Sequence, residues 1–561
     1  MRQLDVCSLK AGEPKWKARV KQIRMPKARG LPAVVMALAL CAVFLLAGYQ
    51  FIRNVGAQMD EVQFTGAIFP PLEDTAAIHI GGIRIPLMID TYAGSLKAWL
   101  YLPVFKLLRP SVYSLRVPVL LLGAATLFVF FLFFRTAMGD AAAIGCTALL
   151  TVDPLFTIMT VLDSGIVVLQ HLLAAGALLL FVQFHRTGRR WMLGGAAFLC
   201  GLALWDKATS LWVMCAFAGG AAAAFPRQLR ACLKPSLVGL FGACLMAGAA
   251  PLIYYNLTSP GEMPQTAGGL AVPDLPHRLV MLGRTLDGSS LFELLINEQP
   301  PRAAVSINRK TDRAAVAVSR WAGRPTRYWL LPAFVLSLLV LPLAWRTRVR
   351  RWMLFSAVGF AAGFAVTLPF AKAGASQHII LLWPLPQMLV VSAGLAVGDR
   401  IRRPAAVLAA ATGVLVISGL LVTTTYYAEI VQKGTARYWS DAINPLRSEL
   451  QRLSGASLIC LDWGIMYPLR FLAGGKLPLS YDGAGLDDPP DSAERQAKVV
   501  YFLERSTNLY ISFADRIGLP DQRLARLQAV ASRSGFREET IATVADRFRR
   551  PVYRVSVFRK D

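Results

Sequence analysis

The sequence predicts a polytopic α-helical membrane protein with about eleven transmembrane helices and a small C-terminal α/β domain. Three observations favour this fold class. Hydrophobic residues make up 55% of the 561 residues and the mean hydropathy is +0.47, more than the surface of a soluble protein accommodates. Apolar runs of about twenty residues recur along most of the chain. Short basic loops separate these runs, as they do where positive charge sets topology.

The first apolar run covers residues 31–51 and is long enough to span a bilayer. A secretory signal peptide is the alternative, but no small-residue cleavage site clearly follows the run, and we interpret it as a retained anchor. The preceding tail, residues 1–30, belongs in the cytoplasm by the positive-inside rule. Its basic residues are Lys10, Lys15, Lys17, Arg19, Lys21, Arg24, Lys27 and Arg29.

Further spans are expected at residues 115–134, 141–160, 166–184, 191–205, 209–225, 237–255, 329–345, 353–370, 379–397 and 405–424. Under one consistent count, the basic clusters after alternate spans all lie in the cytoplasm. The short neighbouring spans 191–205 and 209–225 leave a count of about nine or ten open. We therefore expect a multi-pass protein of a bacterial inner (plasma) membrane, with a cytoplasmic N-terminus and an extracytoplasmic C-terminal domain.

Residues 31–424 are expected to form the membrane domain, with large outer loops at residues 52–114 and 256–328. In the first loop, residues 96–101 suit a helix in the membrane interface. The second loop carries basic residues that either close over a lipid phosphate or only meet lipid headgroups. Residues 425–561 have the composition of a soluble domain and are expected to form an α/β module. Its predicted helices are residues 440–453 and 522–534, and its predicted strands are residues 457–461 and 552–558.

Composition also excludes several classes of function. The formal net charge is +26, which in a soluble protein would indicate nucleic-acid binding, but here the excess lies largely in short loops and reports topology. We expect a bilayer as partner and no nucleic acid. The eight cysteines are scattered without a CxxC pair, so neither a disulfide framework nor a zinc site is indicated. No GxGxxG or GxxxxGK[ST] motif opens a helix of the C-terminal module.

Candidate functional residues cluster in the predicted outer turns, where ionisable groups near membrane depth are costly and often functional. The acidic pair Asp60-Glu61 follows the first span closely, and Asp163, Lys207 and His378 lie in three other outer turns. Each has a structural alternative. Asp163 could cap the next helix, Asp206 and Lys207 could pair with each other, and His378 could be an ordinary interfacial histidine. Only their joint arrangement favours a site.

At these residues the chain resembles the GT-C membrane glycosyltransferases, in particular the bacterial relatives of protein O-mannosyltransferases and of aminoarabinose transferases of lipid A. The similarity covers roughly residues 31–397 and depends on an ordered set of motifs. These are Asp60-Glu61, residues 86–92, residues 97–116, the turn at Asp163, residues 201–207, residues 251–256 and residues 378–384. Two features differ. The transferases carry a Lys-Pro-Pro-Leu-like element where this chain has residues 94–99, and the C-terminal module differs from the sugar-binding modules of eukaryotic mannosyltransferases.

The resemblance implies a polyprenyl-phosphate-linked sugar as donor and inversion of the anomeric centre, and it leaves open whether the acceptor is a protein, a lipid or a polysaccharide. Asp60 suits the general base, a role typically worth about 10²–10⁴-fold. Glu61 and Asp163 are expected to help by orienting the acceptor, raising the pKa of Asp60 or binding a divalent cation. The sequence leaves metal dependence open. The groups expected to bind the donor phosphate are Lys207, Lys97, Arg309, Lys310 and His378.

Two rival functions remain on the sequence alone. A transporter or lipid flippase also uses many spans and intramembrane charges, but such folds often show paired repeats with interrupted helices, and no pairing is visible here. A polymerase or ligase of surface polysaccharide would share the lipid-linked donor and differ in its acceptor. The large outer loops and the terminal domain favour a surface enzyme.

Overall fold

The structure is a computed structural model that describes residues 30–72, 75–260, 274–303, 305–453, 457–480, 486, 492–515 and 523–560. The basic tail expected in the cytoplasm lies almost wholly outside the described residues. The first part of the chain contains α1 (Gly30–Asn54), α2 (Met59–Val62), a 3₁₀ turn (Gln63–Ala67), β1 (Ala76–Ile80), β2 (Ile83–Asp90), β3 (Ala93–Gly94), α3 (Leu96–Leu107), α4 (Val112–Met138), α5 (Asp140–Val152), α6 (Pro154–Leu162), α7 (Val168–Thr187), α8 (Arg190–Asp206), α9 (Ser210–Ala224), α10 (Pro226–Cys232), α11 (Pro235–Gly248) and α12 (Ala250–Thr258).

The chain continues through a second set of helices to the end of the predicted membrane domain. These are α13 (Leu275–Leu286), α14 (Phe292–Leu295), α15 (Lys310–Trp321), α16 (Leu330–Leu339), a 3₁₀ turn (Leu343–Arg346), α17 (Arg350–Thr367), α18 (Ser376–Ile379), a 3₁₀ turn (Ile380–Leu382), α19 (Leu385–Arg400) and α20 (Pro404–Lys433). Every segment that the sequence predicts as a span is largely helical. The fold is therefore mostly helical, as expected.

The number of crossings differs from the expected eleven. Among the described residues, four helices are long and apolar enough to cross a membrane, namely α1, α4, α7 and α20. The number rises to seven if each of three bent helix pairs forms one span, with bends of 62°, 83° and 45°. Each bend lies at a proline, which has no backbone N–H to continue the helical hydrogen bonds. The other four expected spans contain α8, α9, α16 and α17, which are not among these candidates, and eleven is not confirmed.

Two of the bends are tied together by a buried carboxylate. Asp153 lies between α5 and α6, where its Oδ1 accepts from the backbone N–H of Phe156 at 3.0 Å. Its Oδ2 accepts from Trp383 Nε1 at 2.8 Å and from Gln387 Nε2 at 3.0 Å. Trp383 and Gln387 flank the break between α18 and α19. A polar group at such a break satisfies donors that would otherwise be buried without partners.

The first outer loop contains a small antiparallel sheet in the order β1-β2-β3, which the sequence analysis does not predict. Leu87 and Met88 of β2 pack against Trp205 of α8 and Tyr255 of α12. The following helix, α3, is the predicted interfacial helix and exposes Trp99, among other apolar residues. The sheet thus fixes the end of α8 against the first outer loop.

The C-terminal part of the chain forms a five-stranded mixed sheet in the order β5-β4-β6-β8-β7. Its elements are a 3₁₀ turn (Arg437–Trp439), α21 (Ile443–Arg452), β4 (Ser457–Cys460), α22 (Met466–Ala473), β5 (Leu479–Ser480), α23 (Ala493–Leu503), β6 (Asn508–Phe513), α24 (Arg523–Arg533), β7 (Phe536–Ala545) and β8 (Pro551–Lys560). Strand β4 runs parallel to β5 and β6. Arg470 of α22 donates to the carbonyl of Pro71 at 2.8 Å, which joins this unit to the first outer loop.

Helices α8 and α11 pack closely because glycines lie at their crossing. A Cβ on Gly201 would lie 2.2 Å from the carbonyl oxygen of Leu245, and a Cβ on Gly248 would lie 2.4 Å from that of Phe198. Small residues that allow backbones to approach are typical of helix pairs in membranes. Since Lys207 immediately follows α8, this crossing positions it.

We expect Gly201→Val to destabilise the protein by roughly 1–3 kcal/mol or more, because the added carbons overpack a backbone contact. The measurement is the thermal unfolding midpoint of the purified protein in detergent. Gly242→Val on α11 is the matched control, because a Cβ there meets nothing within 4 Å. Equal midpoints for the two variants would contradict the proposed crossing.

Candidate active site

The acidic pair lies on α2, a single helical turn that follows α1 after a short extended segment. Gln58 precedes the turn in an extended conformation, and its side-chain oxygen accepts from the backbone N–H of Asp60 at 2.7 Å. In return, the backbone N–H of Gln58 donates to Glu61 Oε1 at 2.9 Å. This reciprocal pair satisfies donors at the start of the helix. Asp60 and Glu61, although adjacent, therefore point into different surroundings.

Glu61 is fully buried and pairs with Arg116 of α4. Arg116 Nε lies 2.9 Å from Glu61 Oε2, and Arg116 Nη2 lies 2.5 Å from Glu61 Oε1. The remaining guanidinium hydrogens go to the backbone carbonyls of Ile52 at 2.8 Å, Val55 at 2.7 Å and Gly56 at 2.7 Å. All five N–H donors of the arginine are thus used. Glu61 holds the chain at the end of α1 and does not open towards a ligand.

Asp163 and Lys97 form a second buried ion pair, with Nζ and Oδ2 2.5 Å apart. Lys97 also donates to the carbonyl of Glu61 at 3.2 Å and lies 4.3 Å from the centre of the Phe64 ring. Asp163 Oδ1 accepts from the backbone N–H groups of Val167 and Val168 at 2.9 and 3.1 Å, at the start of α7. One oxygen of Asp163 therefore caps the start of α7, as in the capping alternative, and the other oxygen forms the ion pair.

The turn that carries Asp163 has an unusual backbone. Asp163, Gly165 and Ile166 have φ values of 42°, 82° and 57°. Positive φ is uncommon outside glycine and strained for a β-branched residue, and such residues concentrate at functional sites. The carbonyl of Gly165 accepts from Lys207 Nζ at 2.5 Å. The strained turn thus connects the buried pair to the next cation.

Lys207 follows the last residue of α8 and is 5% exposed. Its ammonium lies 5.9 Å from the centre of the Tyr92 ring, and its backbone bridges to Ala93 of β3. Burial lowers the pKa of Lys207, and four carboxylates act in the opposite direction. These carboxylates are Asp60, Asp206, Asp163 and Asp90. Four acids therefore favour the charged form of Lys207, and Asp60 has the strongest effect among them.

Asp60 is only partly exposed, and it faces Lys207. Burial raises the pKa of Asp60 above the usual range of an aspartate, while the charge of Lys207 and a hydrogen bond with Gln58 act in the opposite direction. Asp60 and Asp163 come from distant positions in the sequence, and each influences Lys207 electrostatically. The structure therefore brings together three of the turns singled out in the sequence.

A cavity of about 360 Å³ lies between the start of α13 and residues 368–375. Its polar lining consists of Asp274, His277, Arg278 and Lys372. Arg278 Nη2 donates to the carbonyls of Phe370 and Ala371 at 2.8 and 3.0 Å. The fifth predicted residue, His378, faces both Lys207 and Arg278. His378 is thus influenced by the charge of one residue of the cavity and by the charge of Lys207.

Arg309 and Lys310 lie elsewhere. Both are exposed at the start of α15, whose main packing partner is α20. On the same helix, Asp312 pairs with Arg53 at 2.5 Å and accepts from Tyr427 at 2.8 Å. Within the described ranges no group of three or more His, Cys, Asp or Glu side chains forms a metal site. Both oxygens of Glu61 and of Asp163 meet N–H donors.

Sequence reasoning does not single out Arg116, Asp206 or Arg278. Arg116 carried a signal, because it is a charged residue at the beginning of an apolar run, and such residues within membrane segments usually have a partner or a function. Asp206 was considered only as a partner of Lys207. Arg278 lies in an amphipathic stretch with several other basic residues, and nothing in the sequence distinguishes it from them.

The structure resembles solved structures of membrane enzymes. It matches the crystal structure of ArnT from Cupriavidus metallidurans bound to undecaprenyl phosphate over 94% of this chain and 98% of that chain, with a TM-score of 0.54 and 12% identity. The apo structure of that protein matches over the same shares, with a TM-score of 0.54 and 14% identity. An oligosaccharyltransferase of Archaeoglobus fulgidus in complex with zinc and sulfate matches over 84% of this chain and 68% of that chain, with a TM-score of 0.44 and 13% identity. No protein-family model and no curated protein matches the sequence.

ArnT is an aminoarabinose transferase of lipid A of the GT-C class. The resemblance that the sequence motifs indicated is therefore confirmed for the fold, across nearly the whole chain. At this level of identity, a shared fold does not by itself assign a reaction. The chemistry has to be argued from the side chains of this protein.

We expect Glu61→Gln to lower the free energy of unfolding by roughly 3–5 kcal/mol, because it leaves the buried Arg116 guanidinium without a countercharge. Thermal unfolding in detergent measures this loss. The matched control is Asp140→Asn, since the Arg135–Asp140 pair has the same chemistry at 2.8 Å but is partly exposed. Its replacement should cost about 1 kcal/mol or less. Similar losses in both variants would show that the Glu61 pair is not a structural anchor.

Proposed function

We propose that this protein is a membrane glycosyltransferase that moves a sugar from a polyprenyl-phosphate donor to an acceptor hydroxyl. The reaction takes place at the extracytoplasmic face of a bacterial plasma membrane. One observation carries the proposal. The partly exposed carboxylate of Asp60 and the ammonium of Lys207 influence each other electrostatically, and the one hydrogen-bond acceptor of this ammonium within the described part of the chain is the carbonyl of Gly165.

In this reaction Asp60 acts as the general base. It accepts the proton of the acceptor hydroxyl while the hydroxyl oxygen forms a bond to the anomeric carbon. The bond between that carbon and the phosphate oxygen breaks, and both electrons leave with the lipid phosphate. Attack from the face opposite the phosphate inverts the anomeric centre. A base is most effective when its pKa lies near the working pH, and burial raises the pKa of Asp60 in that direction.

Lys207 stabilises the negative charge that develops on the departing phosphate. Its ammonium has three N–H donors, and one of them donates to Gly165 within the described residues. A fixed cation in a site with little water stabilises such charge strongly. The cavity lined by His277, Arg278 and Lys372 provides a second place where phosphate oxygens find donors.

Glu61, Asp163 and Lys97 act as positioning residues in this proposal. The first holds the turn that carries Asp60, through its pair with Arg116. The other two form the ion pair that holds the strained turn next to Lys207. Arg309 and Lys310, which are exposed at the start of α15, have no part in it. Lys97 is not a phosphate ligand here, because its ammonium already contacts Asp163 and the carbonyl of Glu61.

Fold similarity supports the proposed class of donor. The ArnT structure that matches this chain is bound to undecaprenyl phosphate, a lipid phosphate of the kind that the reaction would release. The acceptor is a hydroxyl of a protein, a lipid or a polysaccharide. A lipid extract of cells without the gene identifies the sugar, because the unused polyprenyl-phosphate donor accumulates in those cells.

We expect Asp60→Asn to reduce transfer by about 10²–10⁴-fold, because it removes the base and keeps the shape of the side chain. Transfer is measured as disappearance of the accumulated donor in deletion cells that express the variant. Binding of undecaprenyl phosphate to the purified protein should not weaken, since the lost group contacts the acceptor and its removal takes a negative charge away from Lys207.

The matched comparison is Asp90→Asn, which removes another partly exposed carboxylate that faces Lys207. This variant should keep most of its transfer activity, because Asp90 is not the base. A transporter whose transport is not coupled to a proton at Asp60 would still move substrate after Asp60→Asn. Unchanged donor clearance by Asp60→Asn would therefore contradict the proposed reaction.

The raised pKa of Asp60 also predicts the pH dependence of transfer. The base works only when it is deprotonated, so kcat/KM should fall as the pH drops through a value above 3.8, the ordinary value of the side chain. In Lys207→Gln the cation that favours the ionised carboxylate is absent, and the acid limb should move to higher pH. Release of polyprenyl phosphate by purified protein, with an envelope extract as acceptor, measures both profiles. Superimposable acid limbs would contradict the coupling of Asp60 with Lys207.

A further inference from the structure

Asp206 is a buried acid that the proposed reaction does not use. It is the last residue of α8 and is 1% exposed. Neither of its carboxyl oxygens has a hydrogen-bond partner among the described residues. Burying a polar group without a partner is costly, and burying an unpaired charge is costlier still. A residue with these properties next to Lys207 therefore needs an explanation.

The charged groups that face Asp206 are Asp163, Lys97 and Lys207. Neither cation hydrogen-bonds to it. Lys97 donates to Asp163 and to the carbonyl of Glu61, and Lys207 donates to the carbonyl of Gly165. Burial, with a smaller contribution from the nearby Asp163 carboxylate, raises the pKa of Asp206 to about 7 against the opposing charges of the two lysines. The neutral carboxylic acid fits these surroundings better than the ion does.

We propose that Asp206 is a positioning residue that holds a proton while the lipid phosphate occupies the site at Lys207, and that loss of this proton weakens binding of the donor. This inference rests on the proposed function, because it assigns an anion to the site. Asp60 and Asp90 also face Lys207. When Asp206 is neutral, one negative charge fewer near Lys207 competes with the phosphate for its positive charge.

Proton binding and donor binding are then linked. A phosphate that enters beside Lys207 adds negative charge near Asp206 and strengthens its hold on the proton. Above about pH 7, where the empty site has lost this proton, the donor must either take a proton up or meet an additional negative charge. Donor affinity should therefore fall as the pH rises through about 7. At low pH the protein should still bind the donor, although protonation of the base, Asp60, stops the transfer.

The test uses undecaprenyl methyl phosphate, a diester whose single charge does not change between about pH 6 and 8.5. Binding to the full-length protein in detergent is measured at both pH values. We expect the wild type to bind about tenfold more weakly at the higher pH, from one added charge near the phosphate. Asp206→Asn, which is neutral at every pH, should bind with nearly the same affinity at both. Asp206→Ala provides a second neutral residue if the amide variant folds poorly.

Asp90→Asn is the matched control, because it removes a carboxylate that faces the same lysine but is partly exposed. It should keep the pH dependence of the wild type. Parallel pH dependences in the wild type and both Asp206 variants would overturn the role of Asp206 and leave the proposed donor site standing. No binding by the wild type at either pH would overturn the donor site and this inference together. A structural defect alone would weaken binding by the same factor at both pH values, so that the variant keeps the tenfold pH dependence of the wild type, which also counts against the inference.

Discussion

The buried pair between Glu61 and Arg116 is the interaction on which the arrangement of the site depends. Arg116 lies on α4, and its guanidinium donates to both oxygens of Glu61. It also donates to three backbone carbonyls, of Ile52 in the last turn of α1 and of Val55 and Gly56 just after it. Five donors in a planar fork leave the chain little freedom. Because Asp60 is adjacent to Glu61, this fixed turn, together with the hydrogen bond to Gln58, sets its direction.

A second set of contacts holds the turn that precedes α7. The ion pair of Asp163 and Lys97 joins the turn before α7 to α3, and Lys97 reaches the carbonyl of Glu61. The two buried pairs are therefore connected, and the strained turn between them presents the Gly165 carbonyl to Lys207. The two buried ion pairs hold the site in place, and Lys207 keeps N–H donors that a ligand can use. Preorganisation of this kind is what a site for developing charge requires.

The sequence predicts the helical elements well, because apolar runs are local signals. Every expected span is largely helical, and all five secondary-structure segments named after residue 425 or in the first loop have a counterpart in the structure, as β4 at Ser457–Cys460 illustrates. It does not predict that Glu61 meets Arg116, since 55 residues separate them and many arginines would have served. It also misses the bends, which depend on prolines and on a tertiary contact at Asp153. The positive charge of Arg309 and Lys310 predicts a place near the phosphate, but the path of a long loop cannot be read from its charges.

Two lysines that look alike in the sequence differ in what they have left to offer. Lys97 meets a carboxylate, a carbonyl and an aromatic ring, so bringing it to a phosphate would break a buried ion pair and leave Asp163 uncompensated. Lys207 meets one carbonyl among the described residues and is surrounded by acids that it does not hydrogen-bond. An anion that approaches Lys207 gains a cation without breaking such a pair. The difference in hydrogen bonding, and not the residue type, therefore favours Lys207 as the phosphate-binding residue of the proposed reaction.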